Sequence, residues 1–448
     1  MIANVQSSEE LRNLFSRLRD GGRELARLPR SALLEPLGRL SVCWQPGSSW
    51  YGRACSMLEG VFGRQAVERA LQGLSLSLNP QIIEGELNRE LGRVDLLESW
   101  QADEFGVGFV KGYPLGVVAH ALAGNVFLGG VIALAQSLLT RNAVLLKLSR
   151  EDSGFTALFV EALQQFDEHG LLSKCLALAS WDSTKDGFNE VLRQDADAVV
   201  VWGGAAAIAA YPQSRCRGRV IHYGPRLGIG VVLDGVDLPA AMRSLAWDVA
   251  LWEQRACSSP RVLFVEDRDD LPAKVATGLS RALTDIRSEI PAKPLSLDEK
   301  AEVVGIRELA WWQQRAEVHA QANSMDHSVL LVKQPPTDIP LGYRTVLVVP
   351  LRSIDDLPVM LTPYRDFLQT AVLAASPGRW LTTVDVLATG GLTQVAAAGA
   401  AAARFLGLPH EGEYALRRLV RLVGIDLGAG PLVDPKRGTC GLAEALNR

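Results

Sequence analysis

Cysteine is scarce and unpatterned. The 448 residues hold six, at 43, 55, 175, 216, 257 and 440, with no Cys-x-x-Cys and no framework spacing. That excludes a disulfide scaffold and a zinc ribbon. The N-terminus, MIANVQSSEELRNL, lacks the charged-then-apolar pattern of a secretory leader, so the expectation is a reducing, cytoplasmic location. Histidine is equally thin: six residues lie scattered at 120, 169, 222, 319, 327 and 410, with no His-Glu-x-x-His, and no metal site is expected. There is no Gly-x-x-x-x-Gly-Lys-Ser/Thr phosphate loop and no Gly-x-Ser-x-Gly elbow, which removes the P-loop enzymes and the serine hydrolases. Neither sign of charge dominates. Lys and Arg total 46 against 50 Asp and Glu, a net charge of −4, which argues against a nucleic-acid platform or a polybasic membrane binder.

One absence is local. Residues 112–140, 29 in all, contain no Asp, Glu, Lys or Arg. That length would span a bilayer. Pro114, Gly116, Gly124, Asn125, Gly129 and Gly130 interrupt it, and a Gly-Asn break in mid-span would strand polar groups in lipid. The run reads instead as a buried strand, a loop and a buried helix, because parallel strands are apolar on both faces.

What is present is ordinary globular composition, 48% hydrophobic and 21% charged, in a chain long enough for two large domains. Residues 1–100 carry helical periodicity, opening with a Ser cap and acidic first turn in SSEELRNLFSRLRD. From 115 to 210 strand and helix patterns alternate, which predicts a doubly wound parallel sheet. A second α/β region follows 220. LLSKCLALAS reads as a strand. The Ala/Gly-rich TGGLTQVAAAGAAAARFLG is helix-compatible, and EYALRRLVRLVG reads as an amphipathic helix. The expected division is a helical region at 1–100, a dinucleotide-binding domain at 101–228, a catalytic domain at 229–425 and a tail at 426–448.

Several short stretches could carry chemistry. Gly224, Gly228 and Gly230 imitate a glycine fingerprint but lead into a strand, not the helix N-terminus a pyrophosphate needs. Trp202-Gly203-Gly204 is better placed, after a β-run and before a helix, where glycines let a dinucleotide approach the backbone. Lys147-Leu148-Ser149-Arg150 ends an apolar strand; it is either a ribose-reading terminus or a solvated strand end. Cys257, in Glu253-Gln254-Arg255-Ala256-Cys257-Ser258-Ser259-Pro260, follows a helix and precedes a strand, a placement open to a nucleophile. Arg-Ala-Cys-Ser also occurs at 53–56, but there it sits in an amphipathic helical pattern, so Cys55 reads as a packed thiol.

Taken in order, PLGVVAHALAGN (114–125), TRNAVLLKLSRED (140–152), VVVWGGAAAI (199–208), VIHYGP (220–225), WDVALWEQRACSSPRVLFVED (247–267) and PHEGEYALRRLVRLV (409–423) resemble the aldehyde dehydrogenase superfamily. More closely they resemble its LuxC-type acyl-CoA reductase branch. The resemblance implies an α/β fold with a Rossmann-type cofactor domain and a second α/β catalytic domain. It implies Cys257 as nucleophile, Asn125 as side-chain donor to the oxyanion, Lys147 at the adenosine ribose with Ser149 and Arg150 beside it, and Gly203 and Gly204 as cofactor-loop glycines. Aldehyde-oxidising members carry a water-activating Glu where this chain has His222, in Ile221-His222-Tyr223-Gly224-Pro225-Arg226. Without that base an acyl-enzyme should hydrolyse slowly. His222 is then either an acid/base in the vacant position or a structural, substrate-lining residue. NAD-preferring relatives often carry Glu at the position of Arg150, so a basic residue there favours NADPH, with NADH as the alternative.

The expected function is reduction of an acyl thioester, on CoA or a carrier protein, to an aldehyde through acyl-Cys257. The alternatives are a hydrolytic NAD(P)-dependent aldehyde dehydrogenase and a non-catalytic thioester-binding protein. Relatives of this type imply a homo-oligomer, dimer or tetramer, and neither nucleic acid nor integral membrane association is expected.

Overall fold

The computed structural model describes the chain except residues 1, 4, 103–107, 125, 169, 183–185, 313–315, 322, 335–338, 340–341, 403–406 and 427–448; the expected C-terminal tail at 426–448 therefore lies, apart from Asp426, outside the described residues. Five helices open the chain: Ser8–Leu25, Ser31–Cys43, Ser49–Phe62, Arg64–Ser77 and Pro80–Leu91. The Ser7 side chain caps the first by accepting from the Glu10 amide, and Glu10 in turn accepts from the Gln6 amide. Gly21 lets this helix cross 171–175 at backbone distance, since a Cβ there would stand 2.6 Å from the Lys174 carbonyl oxygen.

A six-stranded parallel sheet follows, in the spatial order Ile2–Ala3, Leu176–Ala179, Ala143–Lys147, Val117–Ala121, Ala198–Trp202, Arg219–Tyr223. The uncharged run resolves as expected. Val117–Ala121 is buried throughout, and helix Gly129–Leu139 buries eight of its eleven residues. The strand order reverses between Val117–Ala121 and Ala198–Trp202. In such sheets ligands sit at the carboxyl ends of the strands flanking that reversal.

The second sheet has seven strands, in the order Ala316–His319, Ser328–Val332, Thr345–Leu351, Pro260–Glu266, Leu227–Val232, Leu368–Ala374, Gln394–Ala397, all parallel except the first. A third, antiparallel sheet joins Val420–Asp426, Gly108–Pro114 and Gln101–Ala102. Among the described residues no helix is long and apolar enough to cross a membrane.

Three local readings are corrected. Residues 171–175 are a short helix, and the strand begins at Leu176. Gln394–Ala397 is an edge strand because it pairs with Leu368–Ala374. Only Ala415–Arg418 of the C-terminal amphipathic stretch is helical; Val420–Asp426 pairs along its whole length with Gly108–Pro114, so cross-strand hydrogen bonding overrides the leucine spacing.

Candidate active site

Cys257 is the one exposed thiol among the described cysteines; Cys43, Cys55, Cys175 and Cys216 are buried. Burial pushes those four thiols up, Cys175 to about 12. The duplicated tetrapeptide is thereby resolved: Cys55 lies inside helix Ser49–Phe62, 1% exposed.

The turn that carries Cys257 is strained. Trp252, Glu253 and Gln254 all have left-handed backbones, with φ of 58°, 51° and 59°. Each such residue costs about 1–3 kcal/mol and needs surroundings that enforce it. Gln254 is fully buried and its amide is saturated: Oε1 accepts from the Thr345 amide at 3.0 Å, and Nε2 donates to the carbonyls of Thr345 at 2.8 Å and Pro260 at 2.9 Å. Glu253 pairs with Arg344, which is left-handed too, as are its neighbours Tyr343 and Gly342. The Trp252 ring packs edge-on against Phe62 at 5.5 Å and Phe127 at 5.4 Å. One aromatic cluster thus joins the N-terminal helices, the loop after Val117–Ala121 and the nucleophile turn.

Asn125 itself lies outside the described residues, but its neighbours are placed. Gly124 packs so closely on the 149–151 turn that a Cβ would meet the Glu151 Cβ at 2.8 Å and the Ser149 Oγ at 3.0 Å. Arg255 faces Glu151 at 3.7 Å. Gly124, the 149–151 turn and the Cys257 turn are therefore neighbours.

Lys147 closes its strand and is buried; burial, with Arg150 nearby, pulls its ammonium below the usual lysine value. Arg150 is exposed and pairs with Asp182 at 2.5 Å, so its charge is already partnered. Gly203 has φ 151°, and a Cβ on Gly204 would meet nothing within 4 Å. Ala205 and Ala206 beyond it are exposed. The turn leaves open floor at the strand reversal, which fits a dinucleotide. Behind it Trp202 stacks on Tyr223 at 4.1 Å, and its Nε1 donates to His120 Nδ1 at 3.3 Å. Burial pushes His120 down to about 3, so it stays neutral, with Nε2 on the Ser137 hydroxyl at 2.8 Å.

His222 is half-buried with Nε2 on the Tyr211 carbonyl at 3.1 Å. The glycines at 228 and 230 serve strand packing. A Cβ at 228 would stand 2.5 Å from the Ser259 carbonyl oxygen, and one at 230 would stand 2.3 Å from Leu263 Cδ2. Beside the turn opens a cleft of about 230 Å³ lined by Gln254, Arg255, Arg261, Lys293, Glu299 and Tyr343 among others. No cluster of metal-ligating side chains occurs among the described residues.

Sequence reasoning missed Arg226 and Glu411. They pair with each other, and Arg226 also donates to the Asp366 carbonyl at 2.9 Å. The signal available was the His-Glu-Gly turn of PHEGEY.

The profile of the acyl-CoA reductase (LuxC) family matches residues 52–422. The chain belongs to this family. Its sequence relatives include long-chain acyl-protein thioester reductases. That of Photobacterium phosphoreum is 28% identical over 345 residues, covering 75% of this chain and 67% of its own length. That of Aliivibrio fischeri is 29% identical over 217 residues, 48% of this chain and 44% of the relative. Among solved structures, a mutant of aldehyde dehydrogenase C (AldC) from Pseudomonas syringae, complexed with NAD+ and octanal, superposes with a TM-score of 0.70 at 14% identity, covering 95% of this chain and 91% of that one. A GapN glyceraldehyde-3-phosphate dehydrogenase from Methanocaldococcus jannaschii complexed with NADP gives 0.70 at 11% identity, with 94% and 95% covered. The chain thus has the aldehyde dehydrogenase fold.

Proposed function

We propose that this chain reduces an acyl thioester to an aldehyde with NADPH, through a covalent acyl-Cys257. The observation that carries this reading is the exposed Cys257, held on a strained turn stapled by Gln254; His222 occupies the sequence position at which aldehyde-oxidising relatives carry a water-activating carboxylate. Cys257 Sγ, as thiolate, adds to the thioester carbonyl carbon. The Cys257 backbone N–H and the Asn125 side chain hold the oxyanion, donors of a kind that contribute about 3–4 kcal/mol each. The carrier thiolate leaves and takes a proton from water, and the acyl group stays on Cys257. NADPH, when bound, supplies hydride to the acyl carbon. Cys257 is the leaving group as the resulting thiohemiacetal collapses to aldehyde. In this reading His222, whose Nε2 bonds the Tyr211 carbonyl, is a lining residue where oxidising relatives carry the water-activating carboxylate.

Lys147, Ser149, Arg150, Gly203 and Gly204 are the cofactor-holding residues in this reading. The basic Lys147 and Arg150 favour NADPH over NADH, tempered by the Asp182 partner of Arg150. Arg255, Arg261 and Lys293 line the 230 Å³ cleft together with Glu253 and Glu299, and these three cations would face the anionic arm of CoA or a carrier protein. A cytoplasmic homo-oligomer belongs to the same proposal.

The test is mass spectrometry after incubation with acyl-CoA and no cofactor. The acyl mass is expected on the Cys257 peptide and absent from Cys257→Ala. Acyl mass on Cys55 or nowhere, with C257A still turning over NADPH, sinks the proposal. Carboxylate formation from a free aldehyde without added thiol would favour hydrolytic dehydrogenation instead.

A further inference from the structure

The aromatic cluster behind the nucleophile turn gives the N-terminal helical region a part in the chemistry. Helix Ser49–Phe62 stops at Gly63, whose φ of 80° is one that glycine reaches without strain. Phe62 is therefore the last helical residue, and its ring reaches two rings that belong to other parts of the fold. It packs on Phe127 at 5.4 Å and edge-on to Trp252 at 5.5 Å, and those two pack edge-on to each other at 5.4 Å. The three centroids form a nearly equilateral triangle. Phe127 stands in the loop after Val117–Ala121, two residues past Asn125, and Trp252 stands five residues before Cys257.

This triangle is not the interior of the helical region. Met57 and Val61, on the same helix, are 41% and 58% exposed, and Phe62 itself is half-buried, whereas Phe127 and Trp252 are buried. Phe62 finds its cover across the boundary, on the two loops that flank the reacting groups. Both partners are themselves held. Phe127 packs on Phe155 at 4.9 Å. Trp252 has a left-handed backbone, which persists only where the surroundings over-determine it. A second contact reaches the same turn. A Cβ on Gly63 would stand 3.2 Å from Pro291 Cδ, so the helix end lies against 290–291. Arg344 grips that segment, Nη1 donating to the Ile290 carbonyl at 3.1 Å and Nη2 to the Pro291 carbonyl at 3.0 Å, and it ion-pairs with Glu253. The end of one N-terminal helix thus meets the nucleophile turn twice, at Trp252 through a ring and at Glu253 through Arg344.

We propose that Phe62 is a positioning residue for the reaction: its ring sets the gap between the 126–128 loop and the nucleophile turn, and with it the alignment of Cys257 to the oxyanion donor. Packed rings transmit displacement, because an interior at crystal-like density has no slack to absorb it. Without the Phe62 ring, Phe127 and Trp252 both face a hole and are free to move into it. A misplacement of about 1 Å at reacting groups can cost on the order of 10²-fold in rate. Two ring contacts of this kind are together equivalent to about 5- to 150-fold in a rate that depends on both. The proposal rests on the roles given above to Cys257 and Asn125, but its geometric half is tested without acyl chemistry.

The kinetic test is single-turnover acylation of the full chain by acyl-CoA without cofactor. In F62A the saturated rate should fall by about 10- to 100-fold while half-saturation moves by less than about threefold. Alkylation of Cys257 by iodoacetamide needs only an accessible thiolate, and no charge has changed, so it should stay within about twofold of wild type. F62Y keeps the ring and should recover acylation to within about threefold. F62L keeps apolar bulk without the ring edges and should fall between the two; it carries the test if F62A fails to fold. The geometric test is amide hydrogen exchange. In F62A exchange at 126–128 and 251–257 should quicken by at least about tenfold, with strands Val117–Ala121 and Pro260–Glu266 unchanged. Acylation by F62A within about threefold of wild type, equal slowing in F62A and F62Y, or alkylation slowed as much as acylation overturns the proposal. Exchange that quickens throughout the chain overturns it too, since that is a general loosening. Absence of acylation in the wild type would fault the proposed function instead, and the exchange pattern would still decide whether Phe62 joins the two segments.

Discussion

Replacing Gln254 tests whether the strained turn is what aims the nucleophile. In Q254A three hydrogen bonds vanish together, leaving the Thr345 amide and the Thr345 and Pro260 carbonyls facing a hole. Such orphaned groups cost about 1–3 kcal/mol each, so the staple contributes on the order of 3–9 kcal/mol. Against it stands the strain in Trp252, Glu253 and Gln254, roughly 3 kcal/mol or more if each residue costs at least about 1. The two are comparable, so the turn should relax to ordinary backbone angles before the sheet beneath it melts. Cys257 then drifts, and its acylation by an acyl-CoA, measured in a single turnover without NADPH, should slow by about 10²–10³-fold, equivalent to roughly 3–4 kcal/mol. Gln254→Glu sharpens the reasoning. One carboxyl oxygen can still accept from the Thr345 amide, but the other faces two carbonyls and must be protonated to donate. Its folded pKa is therefore raised, and the bonded form is present at low pH and lost as pH rises through that value. Q254E should acylate better at about pH 5.5 than at about pH 8 relative to wild type. Acylation by Q254A within about threefold of wild type, or a Q254E profile parallel to wild type, would refute the role given to the staple.

Gly228→Ala should destabilise the fold by about 3 kcal/mol, because its methyl would meet backbone, not a movable side chain; a thermal melt measures this, and a shift of under a degree contradicts the packing. C55A should retain acylation near the wild-type rate, while C257A loses it by at least about 10³-fold. Asp248 is buried, accepts from the Gly399 and Ala401 amides, and is pushed up to about 6 by burial. A carboxyl whose folded value lies above its unfolded one contributes stability fully present below about pH 4 and lost as pH rises through about 6. Relative to D248N, the wild type should therefore weaken by up to roughly 3 kcal/mol between about pH 4 and 7 in urea titrations, and parallel pH profiles would contradict this.

Much of the site is legible in the sequence because chemistry constrains residues tightly there. The uncharged run over 112–140, the Gly203-Gly204 turn and the Cys257 segment each have to satisfy burial and backbone access at once, and their residues say so. The strand at Val420–Asp426 reads as helix because Leu416, Leu419 and Leu422 fall at helical spacing, while the partner that makes it a strand lies some 300 residues earlier. Arg226 escapes a reading of the sequence because its partners, the Asp366 carbonyl and the Glu411 carboxylate, lie far along the chain and no local pattern connects them. Gln254 is marked in the sequence by resemblance alone; its physical reason, a saturated amide between Thr345 and Pro260, needs the third dimension.

The pairing of Gly108–Pro114 with Val420–Asp426 has a temporal side. Between residues 114 and 420 a ribosome working at about 5–20 residues per second spends roughly 15–60 s. Throughout that interval the edge of the earlier strand that does not face Gln101–Ala102 awaits a partner not yet synthesised. A bare edge of this kind invites pairing with other chains. The nascent protein is thus most exposed to misassembly late in synthesis, and a chain that stops before residue 420 never closes that edge.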